Sequence, residues 1–149
     1  MNSSPICVDA NLALKLVLAE PDSARARQLW ATWDEQDADV IAPSLWGYEV
    51  TSVIRNRVHR RKLMPDEGER AFAAIRRLGV DLLTLPDLHE RAWKLAKRFD
   101  RPAAYDAHYL ALAEALACEF WTADEHLYNA VKNQLPWIRW LGDFHPVAE

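Results

Sequence analysis

Short apolar runs alternate with amphipathic stretches along almost the whole chain, and this alternation most constrains its fold. Residues 5–9 read as a buried strand and residues 10–19 as a helix that ends before Pro21. "DSARARQLWATWDEQ" reads as a second helix, capped by Asp22 or Ser23. "ADVIAP" (38–43) is a predicted strand, and Ser44 is the predicted cap of a long helix to Arg61. "PDEGERAFAAIRRLG" is a helix stopped by Gly79, "VDLLTLP" a strand, and "DLHERAWKLAKRF" a helix capped by Asp87. An Ala/Leu-rich helix over 105–117 is followed by the strand "CEFWTA" (118–123) and the short helix "DEHLYNAVKN". "WIRWL" is a last strand or an irregular apolar segment. Such a sequence predicts an α/β fold, with a mostly parallel central sheet and helices on both faces. Its 149 residues suit one domain.

Four carboxylates fall on positions that should face inward. Asp9 ends the first strand. Glu49 lies within the stripe Leu45, Trp46, Val50, Val53 and Ile54 of its helix. Asp106 lies in the middle of the stripe Tyr109, Leu110, Ala113, Leu116 and Ala117, and Asp124 shares the side of Leu127, Tyr128 and Val131. A buried ionised carboxylate is costly unless something compensates it. Taken singly, a local role explains three of them as well as a functional one does. Asp9 can cap its own helix, and Asp106 and Asp124 sit in first turns, where the helix dipole favours anions. Thr122 and Glu125 also read as a capping box. Glu49 has no such explanation. If the four converge, they require a cation, and an oxygen-only donor set favours Mg²⁺ or Mn²⁺ over zinc. In parallel sheets functional residues gather beyond the carboxyl ends of the strands, where Asp9 and Asp124 stand.

Composition narrows the partners. The net charge of −4 excludes coating nucleic acid by bulk charge, so a polyanion would be held by a metal or by a local basic patch. One such patch, "RNRVHRRK", supplies Arg55, Arg57, Arg60 and Arg61, each of which taken singly is better explained as a solvated helix-end charge. No apolar run approaches the length of a membrane span, and the start "MNSSPIC" does not read as a signal peptide, so a cytoplasmic protein is expected. Cys7 and Cys118 are expected to be reduced and buried. His108 is expected to point away from Asp106, and His126 to lie on the surface. Most of the seven tryptophans read as core or dimer-interface residues. Trp46, one turn before Glu49, is the candidate for stacking on a base.

The motifs carrying these acids resemble those of PIN-domain ribonucleases, especially the VapC-type toxins of prokaryotic toxin–antitoxin pairs. "VDANLALKLVLAE" resembles the first motif and "SLWGYEVTSVIRN" the second. "AAYDAHYLALAEALACEFWTADEHLYN" resembles the third and fourth. The resemblance covers nearly the whole chain and implies a three-layer α/β/α sandwich over residues 1–149. It implies an Mg²⁺- or Mn²⁺-dependent endoribonuclease in which Asp9, Glu49, Asp106 and Asp124 ligate metal, supported by Asn11 and Thr122. It further implies a homodimer and a VapB-like antitoxin that covers the site. Ala10 stands where many members carry Ser or Thr, and His126 where many carry a further acid; one firmly bound ion is therefore expected, with a second recruited by substrate if at all. Two other readings use the same residues: a non-catalytic interaction domain of this fold, and a Mg²⁺-dependent phosphohydrolase of small molecules that would employ Lys15.

Overall fold

The computed structural model describes residues 4–146. Five strands form one parallel sheet: β1 (Ile6–Val8), β2 (Val40–Pro43), β3 (Asp81–Leu83), β4 (Glu119–Thr122) and β5 (Ile138–Trp140), in the order β3-β2-β1-β4-β5. All four pairings are parallel, with Ile6 opposite both Val40 and Glu119. All four residues of β2 are buried. Since alternate side chains leave opposite faces of a strand, both faces of the sheet are covered at β2, whereas the edge strand β3 is largely exposed. The described residues form seven α-helices: α1 (Ala10–Leu14), α2 (Ser23–Glu35), α3 (Leu45–His59), α4 (Pro65–Arg76), α5 (Leu88–Arg98), α6 (Tyr105–Leu116) and α7 (Glu125–Val131); α1, α3, α6 and α7 pack on strands, α4 on α3 and α5 on α6. The expected α/β sandwich is the observed one, and the "WIRWL" segment supplies the fifth strand.

The path of the chain fixes where chemistry can gather. From central β1 it steps outward to β2 and β3, then returns to the other side of β1 for β4 and β5. The order reverses between β1 and β4, and the carboxyl ends of two such strands are where functional groups of parallel sheets gather. The alanines of α6 allow close approach to the sheet. Ala107, Ala111 and Ala113 have no solvent exposure, and α6 packs on β1, β2 and β4. On the same helix Tyr109 stacks against Phe120 of β4, with ring centroids 5.7 Å apart and planes 22° from parallel. Cys7 and Cys118 are buried free thiols.

Several boundaries differ from the periodicity. The first helix stops at Leu14 rather than residue 19, because the amides of Leu16 and Val17 bond three residues back, to Ala13 and Leu14. Ser23 then secures the bend. Its hydroxyl donates to the Leu18 carbonyl (2.9 Å) and accepts from the Glu20 amide (3.0 Å), so it does not cap α2. Asp22 occupies the cap position in a left-handed conformation and makes no capping bond. Ser44 and Asp87 also precede their helices without capping them. The Ser44 hydroxyl meets that of Thr84 at 3.3 Å, and Asp87 pairs with Arg91 at 2.8 Å.

Phe120 is fully buried and braces Tyr109. Phe120→Ala is expected to lower stability by about 3–5 kcal/mol in urea unfolding. A loss below about 1 kcal/mol would contradict this account of the core.

Candidate active site

Asp9 follows β1 in an extended conformation that turns its side chain back over the start of α1. One carboxyl oxygen, Oδ1, accepts the Leu12 amide at 2.9 Å; the other, Oδ2, accepts the Thr122 hydroxyl. The Asp9 amide continues the ladder by donating to the Trp121 carbonyl at 3.2 Å. Thr122 is fully buried, and its oxygen also accepts the Asp124 amide at 2.9 Å. A directed chain therefore runs from the Asp124 N–H through Thr122 to Asp9, across the switch between β4 and β1.

The expected capping box at Thr122 and Glu125 is not formed. Thr122 belongs to β4, and Asp124 is the cap of α7, accepting the Leu127 amide at 3.1 Å. The alternation of strand residues sends the Thr122 hydroxyl inward to Asp9 instead. The capping readings of Asp9 and Asp124 both hold, so each of these acids is already engaged by a helix N-terminus.

Glu49 is half-buried on α3, and its Oε1 accepts the Tyr109 hydroxyl at 2.6 Å. Tyr109 is itself buried, and burial followed by the charge of Glu49 pushes its pKa up, so it remains a donor. Asp106, in the first turn of α6, is contacted by Arg101 at 3.2 Å.

Electrostatics link these acids. Burial pushes the Asp9 carboxyl up to about 7, against the lowering effect of its bonds to Thr122, Leu12 and Ala123. The charge of Asp106 raises it further. Glu49 is raised first by burial, is lowered by Tyr109, and is again raised by Asp106. Asp106 therefore acts on both of the other carboxylates, and the three share one field.

Carboxylates, a hydroxyl and no thiolate are the donor types of a hard divalent ion, so the set fits such an ion by chemistry. In position the fit is incomplete. Among the described residues no three acid, histidine or cysteine side chains close on one point. The hydrogen bonds give the reason: Asp9 and Asp124 are turned toward helix amides, and Asp106 is held by Arg101.

The remaining expected residues divide. Asn11 is exposed on the first turn of α1, and His126 is exposed as expected. His108 is half-buried and meets His89 at 2.8 Å. Arg55, Arg60 and Arg61 are exposed, while Arg57 is engaged by Glu20 at 2.8 Å. They follow Glu49 along the helix by roughly 9 Å or more. Trp46 is 5% exposed and packed in the core, its Nε1 lacking a partner, so no base can stack on it. Sequence reasoning passed over Arg101 and took Tyr109 for a packing residue. A tyrosine three positions after Asp106 on the same stripe was the available signal, since a buried phenol needs a partner.

The family model described as "PIN domain" matches residues 6–133. The chain is similar to a VapC ribonuclease of Mycobacterium bovis, at 37% identity over 131 residues, 88% of this chain and 94% of the relative. It is similar to the same extent to the protein named Ribonuclease VapC9 in two strains of Mycobacterium tuberculosis.

The pKa of Asp9 gives a signed expectation. Unfolded, the group ionises near 3.8; folded, it stays neutral up to about 7. The stability of its neutral form is complete below about 4 and is lost as pH rises through 7. In EDTA the wild type should lose a few kcal/mol over this range, on the order of 4 at most. Asp9→Asn should remove that part of the slope. Parallel slopes in urea unfolding of the two proteins would contradict the assignment.

Proposed function

The chain belongs to the PIN-domain family, and on that premise we propose that it is a VapC-type endoribonuclease, the toxin of a toxin–antitoxin pair. The observation that supports the reading is the family match over residues 6–133, which spans all four acids, together with the bonds that hold two of them, Thr122 to Asp9 and Tyr109 to Glu49. A cluster of this kind gains from a cation. Asp9, Asp106 and Asp124 would hold a Mg²⁺ or Mn²⁺ ion, and Glu49 would bind or orient the same ion or its water. Bound there, the ion would polarise a phosphodiester and promote attack by water.

The chain's own groups prepare the cluster. Tyr109 fixes Glu49 through Oε1 and leaves Oε2 for another partner. Thr122 orients Asp9 and ties it to the Asp124 backbone. Arg101 neutralises part of the Asp106 charge and would give way to the ion. Asn11, exposed beside Asp9, would support its ligands, and Arg55, Arg60 and Arg61 would meet phosphates farther along the strand. Residues 1–149 would act as one domain in the cytoplasm, as a homodimer bound by a VapB-like antitoxin.

The phosphohydrolase reading finds no support in Lys15, whose ammonium donates to the Pro21 carbonyl at 3.0 Å and lies 3.9 Å from Glu20. Against a non-catalytic domain stands the cost of keeping a buried carboxylate with no ion pair of its own.

Asp9→Asn and Asp106→Asn should each lower ion-dependent cleavage of RNA by roughly two orders of magnitude or more, since even supporting residues of metal sites cost 10–100-fold. Mg²⁺ or Mn²⁺ at a hundred times its Kd should stabilise the wild type by about 2.7 kcal/mol. Undiminished cleavage by either variant would overturn the residue assignment. Cleavage of no RNA, together with no stabilisation by either ion, would favour the non-catalytic domain.

A further inference from the structure

The helix starts that carry Glu49 and Asp106 also border a concavity that none of the four acids lines. A cleft of about 390 Å³ opens at the carboxyl ends of β2 and β3, between the first turns of α3, α5 and α6. Its volume is within the range of small-ligand sites. Pro43, Leu45, Leu83, Leu85 and Leu88 give it apolar walls. Two tyrosines stand at its edge with their rings in solvent, Tyr48 at 73% exposure and Tyr105 at 65%. Each immediately precedes a site acid, Tyr48 before Glu49 and Tyr105 before Asp106.

The cleft also presents an oriented polar edge. His108 Nδ1 lies 2.6 Å from the Ala104 carbonyl, which can only accept, so this nitrogen carries the proton. In a neutral ring Nε2 of His108 then accepts, and its partner at 2.8 Å, His89 Nδ1, must donate. That leaves Nε2 of the exposed His89 as a hydrogen-bond acceptor. The hydroxyls of Ser44 and Thr84 line the same cleft.

We propose that this cleft is a nucleobase subsite, in which Tyr48 and Tyr105 stack on a base of the single strand whose phosphate lies at the acids. The inference rests on the ribonuclease reading for its substrate, and on the cleft alone for the base. Exposed aromatic rings are the usual platform for unpaired bases, and an apolar slot with few polar atoms suits a flat heterocycle. Both tyrosines share a helix turn with an acid, so a base on either ring is placed next to the reacting phosphate.

The test uses 2-aminopurine riboside, a fluorescent nucleoside without phosphate that the acids neither attract nor repel. Titrated with the full chain in EDTA, it should show saturable quenching. Tyr48→Ala and Tyr105→Ala should each weaken this binding about tenfold. Both should melt with the wild type, because the rings they remove are exposed. With RNA the same variants should raise KM about tenfold and change kcat little. Absence of quenching by the wild type, or binding by both variants within twofold of it, would overturn the subsite. Quenching by a protein that cuts no RNA with Mg²⁺ or Mn²⁺ would instead overturn the ribonuclease reading and leave the subsite standing.

Discussion

The hydrogen bond from the Thr122 hydroxyl to Asp9 holds the site together. It joins the ends of β1 and β4, neighbouring strands whose connections run to opposite sides of the sheet. Thr122 has no solvent exposure and Asp9 has 6%, so neither group can turn to water instead. A buried hydroxyl must donate, and a buried carboxylate must accept. Each satisfies the other, and the Asp124 amide completes the chain at the start of α7. The parallel register, the direction of α1 and the position of α7 all meet at this bond.

Neutral donors satisfy the geometry of these acids but not their charge. Asp9 is served by a hydroxyl and amides, and Glu49 by a phenol. Among the described residues Arg101 is the one cation within ion-pair distance of any of the four, and it reaches only Asp106. Hydrogen bonds fix orientation at modest net stabilisation, whereas the desolvation of an anion is far larger. The hydrogen bonds of Asp9 are therefore satisfied, while among the four acids only Asp106 has a cationic partner within the described residues. The same end of the sheet carries the cleft edged by Tyr48 and Tyr105, so charge and aromatic surface open side by side.

Most of the fold was legible because its signals were local. Strand and helix periods differ, and their alternation gave the class and the placing of four strands, with "WIRWL" left open between a strand and an irregular segment until the structure made it β5. Helix ends were read less well. Ser23, Ser44 and Asp87 have the chemistry of caps, but a bend, a neighbouring hydroxyl and an arginine claim their side chains. In the site, the inward tilt of Asp9 and Glu49 was legible from periodicity, since burial raises both. The partners that position them were not, because Thr122 lies 113 residues from Asp9 and Tyr109 lies 60 from Glu49. Stripe geometry could say that Trp46 faces in, yet nearness to Glu49 made it look like a stacking ring. Tyr48, two positions on, is the one that faces solvent.

The central claim is that the field around Asp9 is built for a divalent cation. It is tested most directly by following the Asp9 carboxyl carbon by NMR as pH is varied, first in EDTA and then with saturating Mg²⁺. The account predicts a midpoint near 7 in EDTA and a fall of one unit or more with Mg²⁺, because the ion favours the ionised form. A midpoint near 4 in EDTA, or one near 7 that Mg²⁺ does not move, would contradict it.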